Sequence, residues 1–234
     1  MKPQIIVALD VPGVEHVDPI LDRLPDEIVW YKVGLELFTA AGPTVLERLQ
    51  RRDKKIFLDL KLHDIPNTVA AAVRTATAHG VNLLTVHATG GRAMLTAAAE
   101  AAQSTGAAAP RLIAVTTLTS LAESDLRDIG VQRDVPEQAV ALGQLAMACG
   151  IDGLVCSVHE LAVLRAKLGA TPVLVTPGIR LQADQTGDQK RVAGPEEAVR
   201  LGANFLVVGR SLLNAKDMQA TARSFLARLE PGAS

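Results

Sequence analysis

The strongest constraint on the fold is an alternation that recurs along the whole chain. A short apolar, largely β-branched run is followed each time by a longer stretch rich in Ala and Leu. Apolar runs fall at Ile5–Leu9, Ile28–Val33, Lys55–Leu60, Leu83–His87, Leu112–Thr116, Gly153–Cys156, Val173–Thr176 and Phe205–Val208. Helical spacing marks Pro43–Arg52, Asn67–His79, Arg92–Gln103, Glu137–Cys149, Glu160–Leu168, Pro195–Leu201 and Met218–Leu229. Strands separated by helices are crossover units, and crossover units build parallel sheets. The runs are apolar almost throughout, as in strands covered on both faces. Eight such runs in 234 residues predict an α/β fold, a (β/α)8 TIM barrel, as a single domain over residues 1–234; barrels of this kind take about 250 residues. No GxGxxG fingerprint follows the first run, which disfavours an open dinucleotide-binding sheet.

Composition narrows the function. A formal net charge of −1 argues against a general nucleic-acid binder. Aromatic residues make up 3% of the chain, too few for a base-stacking platform. The two cysteines, Cys149 and Cys156, form no CxxC pair and read as reduced core thiols. The first apolar run stops at Asp10, too short for a signal-peptide core, and no later stretch approaches a membrane span. The expectation is a cytoplasmic protein that does not engage a membrane.

Barrels of this type carry their chemistry at the C-terminal ends of the strands. The first run ends in Asp10, the second carries Lys32, and the third leads into Asp59-Leu60-Lys61-Leu62-His63-Asp64. Side chains alternate along a strand, so Asp59 and Lys61 share a face. Asp10 and Lys32, from neighbouring strands, can join them in an array of alternating charge. One such pair is as well explained by a structural salt bridge; four or five ionisable residues, all at strand ends, favour a functional site.

A second cluster follows the seventh and eighth runs: Pro177-Gly178-Ile179-Arg180 and Gly209-Arg210-Ser211. Glycine admits close backbone approach, arginine matches phosphate oxygens, and the fold commonly binds phosphate at this place. The polar segment Leu181–Lys190 has no periodicity and reads as a lid over that phosphate, with Gln189 a candidate donor. His63, His87 and His159 lie at run ends without HxH or HExxH spacing, so structural roles are favoured over metal binding. No GxSxG nucleophile elbow occurs.

The segment Phe57-Leu58-Asp59-Leu60-Lys61-Leu62-His63-Asp64-Ile65-Pro66-Asn67-Thr68 resembles the hallmark of the orotidine 5'-monophosphate decarboxylase family in its bacterial form. Supporting matches are Ala8-Leu9-Asp10, Tyr31-Lys32-Val33-Gly34, Val115-Thr116-Thr117-Leu118-Thr119-Ser120, Thr176–Arg180, Gly187–Arg191 and Val207–Ser211. One departure is Leu62, where many members carry Phe; its alternation off the catalytic face implies a packing effect alone. The resemblance implies decarboxylation of orotidine 5'-monophosphate to UMP and CO2, in pyrimidine biosynthesis, by a homodimer without metal or organic cofactor. It assigns Lys32, Asp59, Lys61 and Asp64 to the charged array, with Lys61 as proton donor. Asp10 and Lys32 would hold the ribose, with Asp64 and Thr68 reaching across the dimer interface. Thr119 would meet the pyrimidine, and Arg180, Gln189, Gly209 and Arg210 the phosphate. Two other readings are a metal-dependent sugar-phosphate decarboxylase or aldolase on the same scaffold and an idle nucleotide-binding barrel. The His63–Thr68 tail and the Gly187–Arg191 segment weigh against the first, and the complete Lys/Asp array against the second.

Overall fold

A computed structural model of the protein describes residues 2–181 and 193–229. Eight strands form a closed barrel in sequence order: β1 (Gln4–Ala8), β2 (Trp30–Gly34), β3 (Lys55–Leu62), β4 (Leu83–His87), β5 (Arg111–Val115), β6 (Gly153–Val155), β7 (Val173–Thr176) and β8 (Phe205–Val208). Every pairing is parallel, and β1 closes on β8 through Gln4 opposite Phe205. All eight apolar runs of the sequence are strands, within two residues at most ends.

Helices fill the intervals: α1 (Val17–Asp22), α2 (Leu35–Ala41), α3 (Thr44–Arg51), α4 (Pro66–Ala78), α5 (Gly91–Gln103), α6 (Glu123–Asp128), α7 (Val135–Ala148), α8 (Val158–Leu168), α9 (Pro195–Arg200), α10 (Arg210–Leu213) and α11 (Met218–Ala227). The seven expected helices are present. Four further short ones, α1, α2, α6 and α10, are not among those expected; each has fewer than two turns, and none but α9 at that length carries a start signal as plain as its Gly194-Pro195. Helix α7 begins at Val135, ahead of the expected Glu137, because the Asp134 carboxylate accepts a hydrogen bond from Glu137 N at 2.8 Å and caps the first turn.

Strand alternation divides the core into two layers. Outward side chains such as Val7, Val33, Leu58, Leu84 and Leu206 pack under the helices, together with Cys149 and Cys156, both buried free thiols. Inward ones, including Ile6, Trp30, Phe57, Ile113, Val175 and Phe205, fill the barrel. Trp30 meets Phe205 edge-on at 5.0 Å and donates its indole N–H to Gln4. That plug closes the N-terminal end, so the inward positions further along the strands open toward the C-terminal end alone.

The N-terminal rim is braced by a repeated device. Asn82, Asp152 and Asn204, each just before or near the start of an even-numbered strand, accept from the backbone N–H of Ile56, Leu112 and Leu174 on the preceding strand, each at 2.8 Å. Asn204 also accepts from Arg165, whose guanidinium donates to Gly169, Pro172 and Gly202 carbonyls. Asn204→Ala should therefore lower stability by about 1–3 kcal/mol, since it orphans the Leu174 N–H and an Arg165 donor. Chemical denaturation checks this; an unchanged midpoint would contradict it.

Candidate active site

Three strands place the charged residues. Lys32 is the inward residue in the middle of β2, two residues before its end, and Asp59 stands beside it on β3, opposite Gly34. Asp10 follows β1 at the same end. Lys32 Nζ lies 3.0 Å from Asp10 Oδ1 and 3.8 Å from Asp59 Oδ2; Lys61 Nζ lies 2.9 Å from Asp59 Oδ1. The four groups thus run negative, positive, negative, positive along the mouth. The Lys32 and Asp59 side chains are 12% and 14% exposed, so each depends on its partners to offset lost hydration. Gly34 makes room for this: a methyl at its α-carbon would stand 2.8 Å from Lys32 Nζ.

The third strand differs from simple alternation. Leu58 pairs with Leu84 and Leu62 with Val86, so four steps along β3 match two along β4. Within that bulge Lys61 has φ of 51°, a left-handed backbone that costs a non-glycine residue roughly 1–3 kcal/mol. The Lys61 N–H donates to Thr85 Oγ1 at 2.8 Å, outside the ladder. Lys61 still meets Asp59, as alternation predicts, but through a distorted strand. Leu62 packs against the outer core layer, the side expected for it.

The array borders a cavity of about 230 Å³ at the C-terminal end of the barrel. Val115, Val155, Val175 and Val207 supply an apolar wall; Thr119, Arg180, Gly209 and Arg210 also line it. Thr117, which sequence reasoning passed over, faces the same cavity with a buried hydroxyl that has no partner among the described residues. A bound ligand would supply that partner. Gln189 and most of the expected lid lie outside the described residues. Their base is pinned: Ile179 bridges Ala193, and Arg180 N donates to the Ala193 carbonyl at 3.1 Å.

Asp64 and Thr68 are not drawn into this cavity. Both are exposed, at and just before the first turn of α4, and Asp64 Oδ1 accepts from Ile65 N at 2.6 Å. Ile65 beside them is one of the few large apolar residues left exposed. His63 stacks on His87 at 5.3 Å, and His87 Nδ1 lies 2.7 Å from the Thr89 hydroxyl. Among the described residues, no group of three or more His, Cys, Asp or Glu side chains converges as a metal site. Among them also, no helix is long and apolar enough to cross a membrane.

Ionisable side chains around a small cavity, at the catalytic end of a closed (β/α)8 barrel, define a barrel enzyme. The chain belongs to the orotidine 5'-phosphate decarboxylase / HUMPS family, whose sequence profile matches residues 3–225. It is 47% identical to the orotidine 5'-phosphate decarboxylase of Moorella thermoacetica, over 98% of this chain and 93% of that one. It is 49% identical to the enzyme of that name from Gloeothece citriformis, over 92% of each chain. The crystal structure of orotidine 5'-phosphate decarboxylase from Lactobacillus acidophilus superposes with a TM-score of 0.87 at 35% identity, covering 98% of this chain and all of that one. The family resemblance read from the sequence therefore holds.

Burial, then the His63 ring and the Lys61 ammonium, hold His87 below the ordinary imidazole value. The unfolded chain therefore takes up a proton at this position before the folded one does. Stability is full above the unfolded value of about 6.5 and falls as pH drops below it toward the folded value. The thermal midpoint should decline on acidification below about pH 6.5, and less steeply in His87→Gln. Equal slopes in the two proteins would contradict this.

Proposed function

We propose that the protein decarboxylates orotidine 5'-monophosphate to UMP and CO2, by lysine-assisted stabilisation of a C6 carbanion. The observation that carries the reading is the Asp10–Lys32–Asp59–Lys61 chain on the wall of the cavity. Loss of CO2 from C6 leaves an electron pair with no carbonyl positioned to receive it. Enzymes commonly borrow a cofactor as electron sink for such a step. Here the Lys61 ammonium serves instead: it stabilises the developing charge, then gives its proton to C6. Asp59, 2.9 Å from the Lys61 ammonium, holds it at the wall of the cavity. Asp10 and Asp59 are already matched by lysines, which leaves them poor ligands for a dication and supports a reaction without metal; in this reading no organic cofactor takes part either.

In this reading Asp10 and Lys32 hold the ribose and Thr119 meets the pyrimidine. Arg180, Gln189, Gly209 and Arg210 bind the phosphate; Arg180 and Arg210 line the same cavity as the charged chain. The protein acts as a homodimer in which Asp64 and Thr68 complete the partner's site. Their exposure, next to the exposed Ile65, supports a covered surface in the assembly.

Metal-stripped protein mixed with orotidylate should change the pyrimidine absorbance, and added chelator should not slow it. Lys61→Ala should abolish turnover while UMP still binds; turnover retained would remove Lys61 from the chemistry. Arg210→Ala should raise KM strongly and weaken kcat/KM by several kcal/mol, roughly the worth of a set of charge-assisted contacts. Mixed and re-equilibrated, inactive Lys61→Ala and Asp64→Ala dimers should recover roughly one quarter of parental activity, because half the dimers pair across the two-fold and hold one intact site. No recovery after proven subunit exchange would place Asp64 in its own chain's site.

A further inference from the structure

We infer that Thr85 is a positioning residue for this reaction: its buried hydroxyl sets where the Lys61 ammonium and the Asp59 carboxylate stand. The inference rests on the proposal that Lys61 acts at C6. Thr85 is fully buried in the middle of β4, between Leu84 and Val86 of the outer layer, and so faces the barrel interior. Strand propensity and packing at such a position are served at least as well by valine. The hydroxyl is the feature that calls for an explanation.

Its two hydrogen bonds supply one. The Lys61 N–H donates to Thr85 Oγ1 at 2.8 Å, and the same hydroxyl donates to Asp59 Oδ1 at 3.1 Å. That carboxylate oxygen also accepts from Lys61 Nζ at 2.9 Å. Backbone N–H, hydroxyl, carboxylate and ammonium close into a ring that ties both ends of residue 61 to one oxygen of Asp59. A hydroxyl carries one proton and two lone pairs, so Thr85 can accept from the amide while it donates to the carboxylate. Valine can do neither.

The ring has a reason to exist. The ladder between β3 and β4 shifts register between Leu58 and Leu62, and Lys61 adopts its left-handed conformation inside that gap. An amide turned out of the ladder in a buried strand needs another acceptor. Thr85 is that acceptor, and it couples the strained backbone to the carboxylate that faces Lys32 on its other oxygen. Thr85 thus acts through Lys61 and Asp59 and need not touch the substrate.

The test compares Thr85→Val, Thr85→Ser, Thr85→Ala and Lys61→Ala for kcat and KM with orotidylate, for UMP affinity and for thermal midpoint. Thr85→Val should lose about 10²-fold in kcat, the loss brought by a roughly 1 Å misplacement of a reacting group. KM and UMP affinity should stay near the parental values. Serine and alanine both delete the methyl group, so their comparison isolates the hydroxyl even if the valine variant fails to fold. Thr85→Ser should keep most of kcat and Thr85→Ala should lose it. Parental kcat in Thr85→Val, or equal kcat in the serine and alanine variants, overturns the positioning role. If Lys61→Ala retains turnover, the underlying mechanism fails instead, whatever the Thr85 variants do.

Discussion

A single carboxylate organises the mouth of this barrel. Asp59 accepts from Lys61 and Thr85 on one oxygen and faces Lys32 across 3.8 Å on the other. Two partly buried ammonium groups so close together would repel one another without it. Without it Lys61 would lose its carboxylate partner and Lys32 would keep Asp10 alone. The lysines can be held at the cavity because that carboxylate stands between them, and Asp10 repeats the arrangement for Lys32 at 3.0 Å.

The rest of the barrel serves to make that arrangement affordable. At the N-terminal end the Trp30–Phe205 plug fills the barrel and Asn82, Asp152 and Asn204 tie neighbouring strands together. At the opposite end lie the bulged end of β3 and the left-handed Lys61 within it. Strained backbone persists where its surroundings over-determine it. Here the overdetermination comes from the hydrogen bonds that converge on Asp59 and Thr85.

The barrel was legible because each strand is covered on both faces and so leaves an uninterrupted apolar run. The short helices were not, since α10 with four residues carries no period. The charged quartet could be read because Asp10, Lys32, Asp59 and Lys61 are conspicuous beside apolar neighbours, and the long run from Phe57 to Thr68 matches the family's hallmark. Thr85 could not: a single threonine in an apolar strand looks like ordinary β-branched packing until the register shows what its hydroxyl faces. Nor could Thr117, one of three threonines in the polar run after β5, where the sequence does not say which hydroxyl meets the cavity. The conformation of Lys61 was hidden too, since no glycine marks the left-handed position. Asp64 and Thr68 illustrate a different limit, because residues expected to act across an interface are exposed in one chain.

The most direct measurement is a crystal structure with a uridylate analogue that bears an anionic oxygen at C6. Lys61 Nζ should lie within about 3 Å of that oxygen, with its contact to Asp59 retained. A nucleotide seated in the cavity while the Lys61 side chain points into bulk solvent would contradict the assignment of the reacting proton to this lysine.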